Sequence, residues 1–168
     1  METTMEQRLT ATSCYFPFIG SVAAVYVRVT SPGDEYVRGH ALQALAWHFA
    51  TYAAGFLLGT MGVPFISTLF VVLTVGFMLF LAYRAYSGDT RPSLPAGDDE
   101  TRDLAYAQMV LIGIAGFILR VIVGRDAVGF LVVLAWAALV ALLAYQANRV
   151  SGFSLPGLLG PARRLLSF

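Results

Sequence analysis

From Ala41 to Tyr83 the chain carries no formally charged residue over 43 positions. As one straight helix at about 1.5 Å per residue the stretch would reach roughly 65 Å, whereas the hydrocarbon core of a bilayer is only about 30 Å thick. It must therefore turn back on itself. The weak point is GTMGVP, where Gly59, Gly62 and Pro64 interrupt an otherwise apolar run. Asp34 is placed to cap a helix whose first turn holds Glu35, and Pro64 suits the first turn of the next helix. The pattern predicts a transmembrane hairpin with helices over about 34–59 and 64–86.

Composition agrees with lipid as the solvent. Of 168 residues, 58% are hydrophobic and 12% charged, against about 25% charged in a soluble domain. A chain of single-domain size cannot enclose that much apolar side chain in water. The formal net charge of +1 argues against nucleic acid, which rewards a basic face. All basic residues are arginine, and Cys14 is the lone cysteine, which excludes an intramolecular disulfide or a cysteine-rich metal site. Its expected state is a buried free thiol. The amino terminus lacks the charged-then-apolar order of a secretory signal, so the first apolar segment is expected to stay in the protein.

That first segment, about 9–29, is long enough to cross, but Pro17 and Gly20 sit inside it. Proline removes a backbone donor and disturbs the preceding turn. Two forms remain open, a kinked crossing helix and a shallow re-entrant element, with the crossing preferred. Residues 87–103, rich in Gly, Pro and acid, form the long polar loop, and Asp98, Asp99 and Glu100 read as solvated carboxylates rather than a cation site. Further helices are expected over about 104–123 and 127–148. An amphipathic tail over 155–168 carries Arg163 and Arg164 among leucines, which suits either a segment lying on anionic lipid or a frayed end. The predicted fold is thus an all-α integral membrane bundle of four transmembrane helices plus a fifth, the kinked first segment.

The chain also repeats itself weakly. LAYRAYSG with SLP following, from Leu81 to Pro95, is similar to LAYQANRVSG with SLP following, from Leu143 to Pro156. Gln43 opens one hairpin and Gln108 the other, as in a parallel repeat. Arginine placement sets the orientation. With five crossings, Arg28, Arg38, Arg84, Arg91, Arg102, Arg149, Arg163 and Arg164 fall on the cytoplasmic side, opposite Arg8, Arg120 and Arg125. A re-entrant first segment moves Arg8 inside. Either way, loop 87–103 and the carboxyl terminus are cytoplasmic, at the plasma membrane of a prokaryote.

Candidate functional residues follow from helix geometry. At about 100° per residue, Gln43 lies about 60° and Trp47 about 20° from His40, so the three share a face. Polar side chains at membrane depth must face protein or water. One reading makes Gln43 an interhelical hydrogen-bonding residue and His40 and Trp47 interfacial anchors. The other makes the face, with Gln108, line a cleft that handles a polypeptide, a lipid headgroup or an ion. Two histidines, His40 and His48, without a partner pair do not make a haem site. Gly55 and Gly59 form a GxxxG surface, and Ala137 with Ala141 a similar one. These serve internal packing or a homo-oligomer, while Arg120 snorkels to the interface. No nucleophile elbow, metal-spaced cluster, P-loop or dinucleotide fingerprint occurs. A non-enzymatic protein without a cofactor is expected, its partners being the bilayer and other membrane proteins.

With these residues in view, YVRGHALQAL, from Tyr36 to Leu45, resembles a known motif. It is similar to an element of the chloroplast inner-envelope protein-import component of the Tic twenty-kilodalton family. It also resembles a related prokaryotic family of small membrane proteins of unknown function, which includes magnetosome-membrane members. YFPFIG (Tyr15, Pro17 and Gly20) resembles that family's opening, and AYSG followed by RPSLP its ending. The motif residues are Tyr15, Pro17, Gly20, Arg38, His40 and Gln43, and the resemblance covers about residues 10–96. Gly39 stands where the family usually has an aromatic ring. For the plastid members the resemblance implies protein translocation within a multi-subunit complex, and a crossing by the segment before the motif. It implies no general activity for the prokaryotic relatives.

Overall fold

The computed structural model describes residues 3–17, 19–31, 33–62, 64–89, 99–123, 127–147 and 159–167. Among these are seven helices: α1 (Met5–Ser13), α2 (Gly20–Thr30), α3 (Glu35–Met61), α4 (Pro64–Tyr86), α5 (Asp99–Val123), α6 (Ala127–Ala147) and α7 (Leu159–Ser167). The side chains of Arg91, Arg102, Arg125, Arg149 and the acidic run 98–100, and the 148–156 part of the second repeat, fall outside the described residues. α5 begins at Asp99, inside the expected loop 87–103, and not at 104. Among the described residues, three helices are long and apolar enough to cross a membrane: Glu35–Met61, Pro64–Tyr86 and Leu104–Val123. The apolar part of α6, Val128–Leu143, is shorter.

The hairpin forms as its sequence dictates. The Asp34 carboxylate accepts the Val37 N–H at 3.1 Å, capping α3. Gly62 ends the helix at φ 66°, in the left-handed region that glycine enters without a Cβ clash, and Pro64 starts α4. α3 is the hub, packed against α1, α2, α4, α5 and α6. Residues Ala41–Ala46 are all buried, which requires protein on every side of the helix at that level. α5 packs along α6 and α3, and α7 lies on α5.

The first segment differs from the preferred expectation. It does not run through as one helix over 9–29 but breaks completely after Ser13, and α2 starts only at Gly20. α1 begins beside the end of α4, where the Arg8 guanidinium lies against Gly88 and the Thr12 hydroxyl reaches the Ala82 carbonyl at 3.4 Å. α2 begins beside the middle of α3, where Ser21 Oγ and Tyr52 Oη are 3.2 Å apart. It then returns to the tight turn that feeds α3. Both ends of the segment thus sit at one end of the bundle, and its bend sits at the level of His48. This doubling back is the geometry of the re-entrant alternative, and it puts Arg8 at the same end as Arg84.

A backbone break at that depth leaves carbonyls at the end of α1 without helical partners. Irregular backbone is tolerated there only where protein covers it. His48 supplies the cover, its Nε2–H donating to the Cys14 carbonyl at 3.1 Å. Gly20 lets the two approach, since a Cβ there would lie 2.4 Å from the same carbonyl oxygen and 2.7 Å from His48 Nε2. Cys14 and Tyr15, on either side of the break's start, have no exposed surface. The Cys14 thiol should therefore resist maleimide in the folded protein and react fully after denaturation in SDS. Rapid labelling of the native protein would contradict this packing.

The expected packing surfaces also move. Gly55 and Gly59 are exposed, with open space where a Cβ would stand, and Ala141 is exposed while Ala137 is half-buried. The close helix approaches occur instead at Gly113 and Gly116 of α5. A Cβ on Gly113 would meet Phe49 Cγ of α3 at 2.3 Å, and one on Gly116 would meet Trp136 of α6 at 2.5 Å. Their spacing of three places both on the side of α5 that faces α3 and α6.

Candidate functional site

The shared face of α3 meets the start of the re-entrant break. His40 is 4% exposed and Gln43 1%, and both meet the Tyr15 hydroxyl. Tyr15 Oη is 3.0 Å from His40 Nδ1 and 2.6 Å from Gln43 Oε1. Gln43 Nε2 reaches the Tyr106 hydroxyl of α5 at 3.5 Å, and His40 Nε2 lies 3.0 Å from the Asp89 carbonyl past the end of α4. One chain of polar groups therefore joins the re-entrant segment, α3, α5 and the end of α4.

Two proton arrangements fit this chain. The Asp89 carbonyl can only accept, so His40 Nε2 carries a proton in both. With neutral His40, Nδ1 accepts the Tyr15 O–H. Gln43 then turns its amide so that N–H donates to Tyr15 and its oxygen accepts from Tyr106. With a doubly protonated ring, Nδ1–H donates to Tyr15, Tyr15 donates to Gln43 Oε1, and Gln43 N–H donates to Tyr106. The Tyr15 hydroxyl has a single hydrogen to give, so it donates to His40 or to Gln43 and not to both.

The surroundings hold the ring of His40 in place. Tyr36 packs against it at 4.6 Å between ring centres and 67° between planes, and the Tyr36 hydroxyl donates to the Ala85 carbonyl. Arg84 pairs with Asp89, its Nε donating to Oδ2 at 2.7 Å, and so braces the backbone that His40 holds. Half-exposed and salt-screened, that pair contributes modestly.

Of the expected face, His40 and Gln43 come together as described. Trp47 goes elsewhere, packing edge-on against Phe77 of α4 at 4.9 Å between centres. Gln108 is equally buried and lies two residues beyond Tyr106, about 200° further round α5. Tyr106 was legible only as an apolar-looking tyrosine inside a membrane helix, while Tyr15 was singled out through its motif. Arg120 is 8% exposed with its guanidinium 5.8 Å from the centre of the Phe56 ring. It packs over an aromatic face as well as lying near a helix end. The described residues hold no group of three or more His, Cys, Asp or Glu able to bind a metal ion.

Among the described residues, fold and site define an all-helical protein whose longest apolar helices are fit to cross a membrane, with His40, Gln43, His48 and Gln108 buried inside it. Compared with known protein families, curated proteins and solved structures, the chain finds no match in any of the three.

Proposed function

We propose that the chain is a non-enzymatic integral membrane protein, a scaffold or translocation-related subunit that acts through helix contacts. The observation that carries this reading is α4. Only 17% of its most apolar window is buried, against 44% for α3 and 50% for α5. Its buried residues, Met78, Leu81, Ala82 and Ala85, all lie in its last nine residues. Its first 14 residues, Pro64–Phe77, include none. A crossing helix that leans on its own chain at one end only is suited to take a neighbour from another.

The Tic-like resemblance fits this reading. Its three separated pieces meet in space, Tyr15 with His40 and Gln43, and Tyr36 and His40 with the backbone at Ala85 and Asp89. They define a fold-determining latch, which leaves the outer helix faces for partners. The same bonds weigh against the other expectation, a transporter path lined by His40, Gln43 and Gln108, because His40 and Gln43 are occupied by protein groups. In this reading the protein sits in a prokaryotic plasma membrane, with the end bearing Arg8, Arg28, Arg38 and Arg84 in the cytoplasm.

Val72 and Leu73 are 61% and 62% exposed on α4. A photo-crosslinking residue at Val72, tested in native membranes, is expected to give a protein adduct of discrete mass. The same probe at Val22 of α2 should give none. Lipid adducts alone at Val72 would remove the reading.

A further inference from the structure

The splay of α4 opens a half-enclosed cleft against α3, with a cavity volume of about 360 Å³. That lies within the roughly 300–1,000 Å³ typical of small-molecule sites. We infer that this cleft binds a neutral lipophilic phenol, whose hydroxyl donates to His48 and whose ring packs among Tyr52, Phe56 and Phe70.

The lining sets each part of that chemistry. No Arg, Lys, Asp or Glu lines the cleft, and an unpaired charge in such a place is costly, so the occupant is neutral. Tyr52, Phe56 and Phe70 supply aromatic faces, which favour an aromatic ring over a plain acyl chain. Gly55 and Gly59 form part of the wall. Nothing stands within 4 Å of the Cβ that either lacks, so the space is kept open by the absence of two side chains.

His48 provides the polar contact. It lines the cleft and is 2% exposed, while its Nε2–H is committed to the Cys14 carbonyl. In the neutral ring Nδ1 then holds a lone pair, and no hydrogen bond to Nδ1 exists among the described residues. An acceptor without a donor on a residue that lines an apolar cleft selects a ligand with an O–H group to give. Such a ligand reaches the cleft from the bilayer, where α3 and α4 part.

The test uses the full chain in detergent micelles, with para-nonylphenol as the probe and para-nonylanisole as its O-methyl control. The phenol should bind about tenfold more tightly than the anisole, the loss expected for one hydrogen bond in a dry site. Its binding should also shift the nitrogen resonance of His48 Nδ1 toward that of a hydrogen-bonded acceptor. Gly55→Leu, a change at an open position that leaves the core untouched, should abolish binding. His48→Phe should bring the phenol down to the affinity of the anisole, and Gly55→Leu keeps the test decisive if that variant fails to fold. Equal binding of the two probes, unchanged binding by Gly55→Leu, or no binding above empty micelles would each overturn the proposal.

Discussion

Gly113→Val and Gly116→Val are each expected to destabilise the protein by about 3 kcal/mol, the upper part of the range for forcing extra atoms into a packed core. At Gly113 the first added carbon would stand 2.3 Å from Phe49 Cγ and 2.5 Å from its Cβ. These atoms are close to the α3 backbone, so the ring cannot simply rotate away and the two helices must separate. At Gly116 the added carbon meets the Trp136 indole, which is 2% exposed and has no free volume to enter. Gly59→Ala is the contrast. It adds a carbon into open space and should gain roughly 0.5–1 kcal/mol from helix propensity. Unfolding in SDS followed by circular dichroism separates the two classes, and equal midpoints for Gly113→Val and Gly59→Ala would refute the packing argument.

Gln43→Leu has the second largest expected effect, a loss of about 1–3 kcal/mol. The substitution keeps the volume roughly constant but removes two buried hydrogen bonds, one to the Tyr15 hydroxyl, which keeps His40, and one to the Tyr106 hydroxyl, both on residues without exposed surface. Each such bond contributes about 0.5–1.5 kcal/mol. Tyr15→Phe should lose less, because Gln43 keeps its contact with Tyr106. Since both residues belong to one chain of bonds, the double variant should fall short of the summed single losses by about 1 kcal/mol. Strict additivity would mean that the chain does not act as a unit. Membrane insertion depends on the apolar helices and should be unaffected in all three. Any loss of association in a His40→Leu, Gln43→Leu protein then arises through the fold, because both side chains point inward.

The differences between sequence and structure have specific physical origins. The break at 14–19 was visible as Pro17 and Gly20, but a proline in an apolar segment fits a kink as well as a bend. What decides between them is whether protein covers the freed carbonyls, and that depends on His48, 34 residues beyond Cys14. The packing glycines show the same limit. GxxxG at Gly55 and Gly59 met the known spacing, yet a small residue matters only where another helix arrives. Phe49 and Trp136 arrive at Gly113 and Gly116 instead. Trp47 shares a face with His40 on a helical wheel, but it packs on α4 while His40 packs on the re-entrant turn.

By itself, the sequence determined the apolar lengths fit to cross a membrane, the helical class, the hairpin with its turn at Gly62 and Pro64, and the polar character of the face at His40 and Gln43. These follow from local quantities: apolar length, charge absence, capping residues and glycine conformation. Only the tertiary structure decided that the first segment doubles back, that Tyr15 and Tyr106 close the polar chain, and that α4 stands apart to open a cleft at His48. Those outcomes depend on which side chains meet across long separations, and no period or spacing along the chain encodes such meetings.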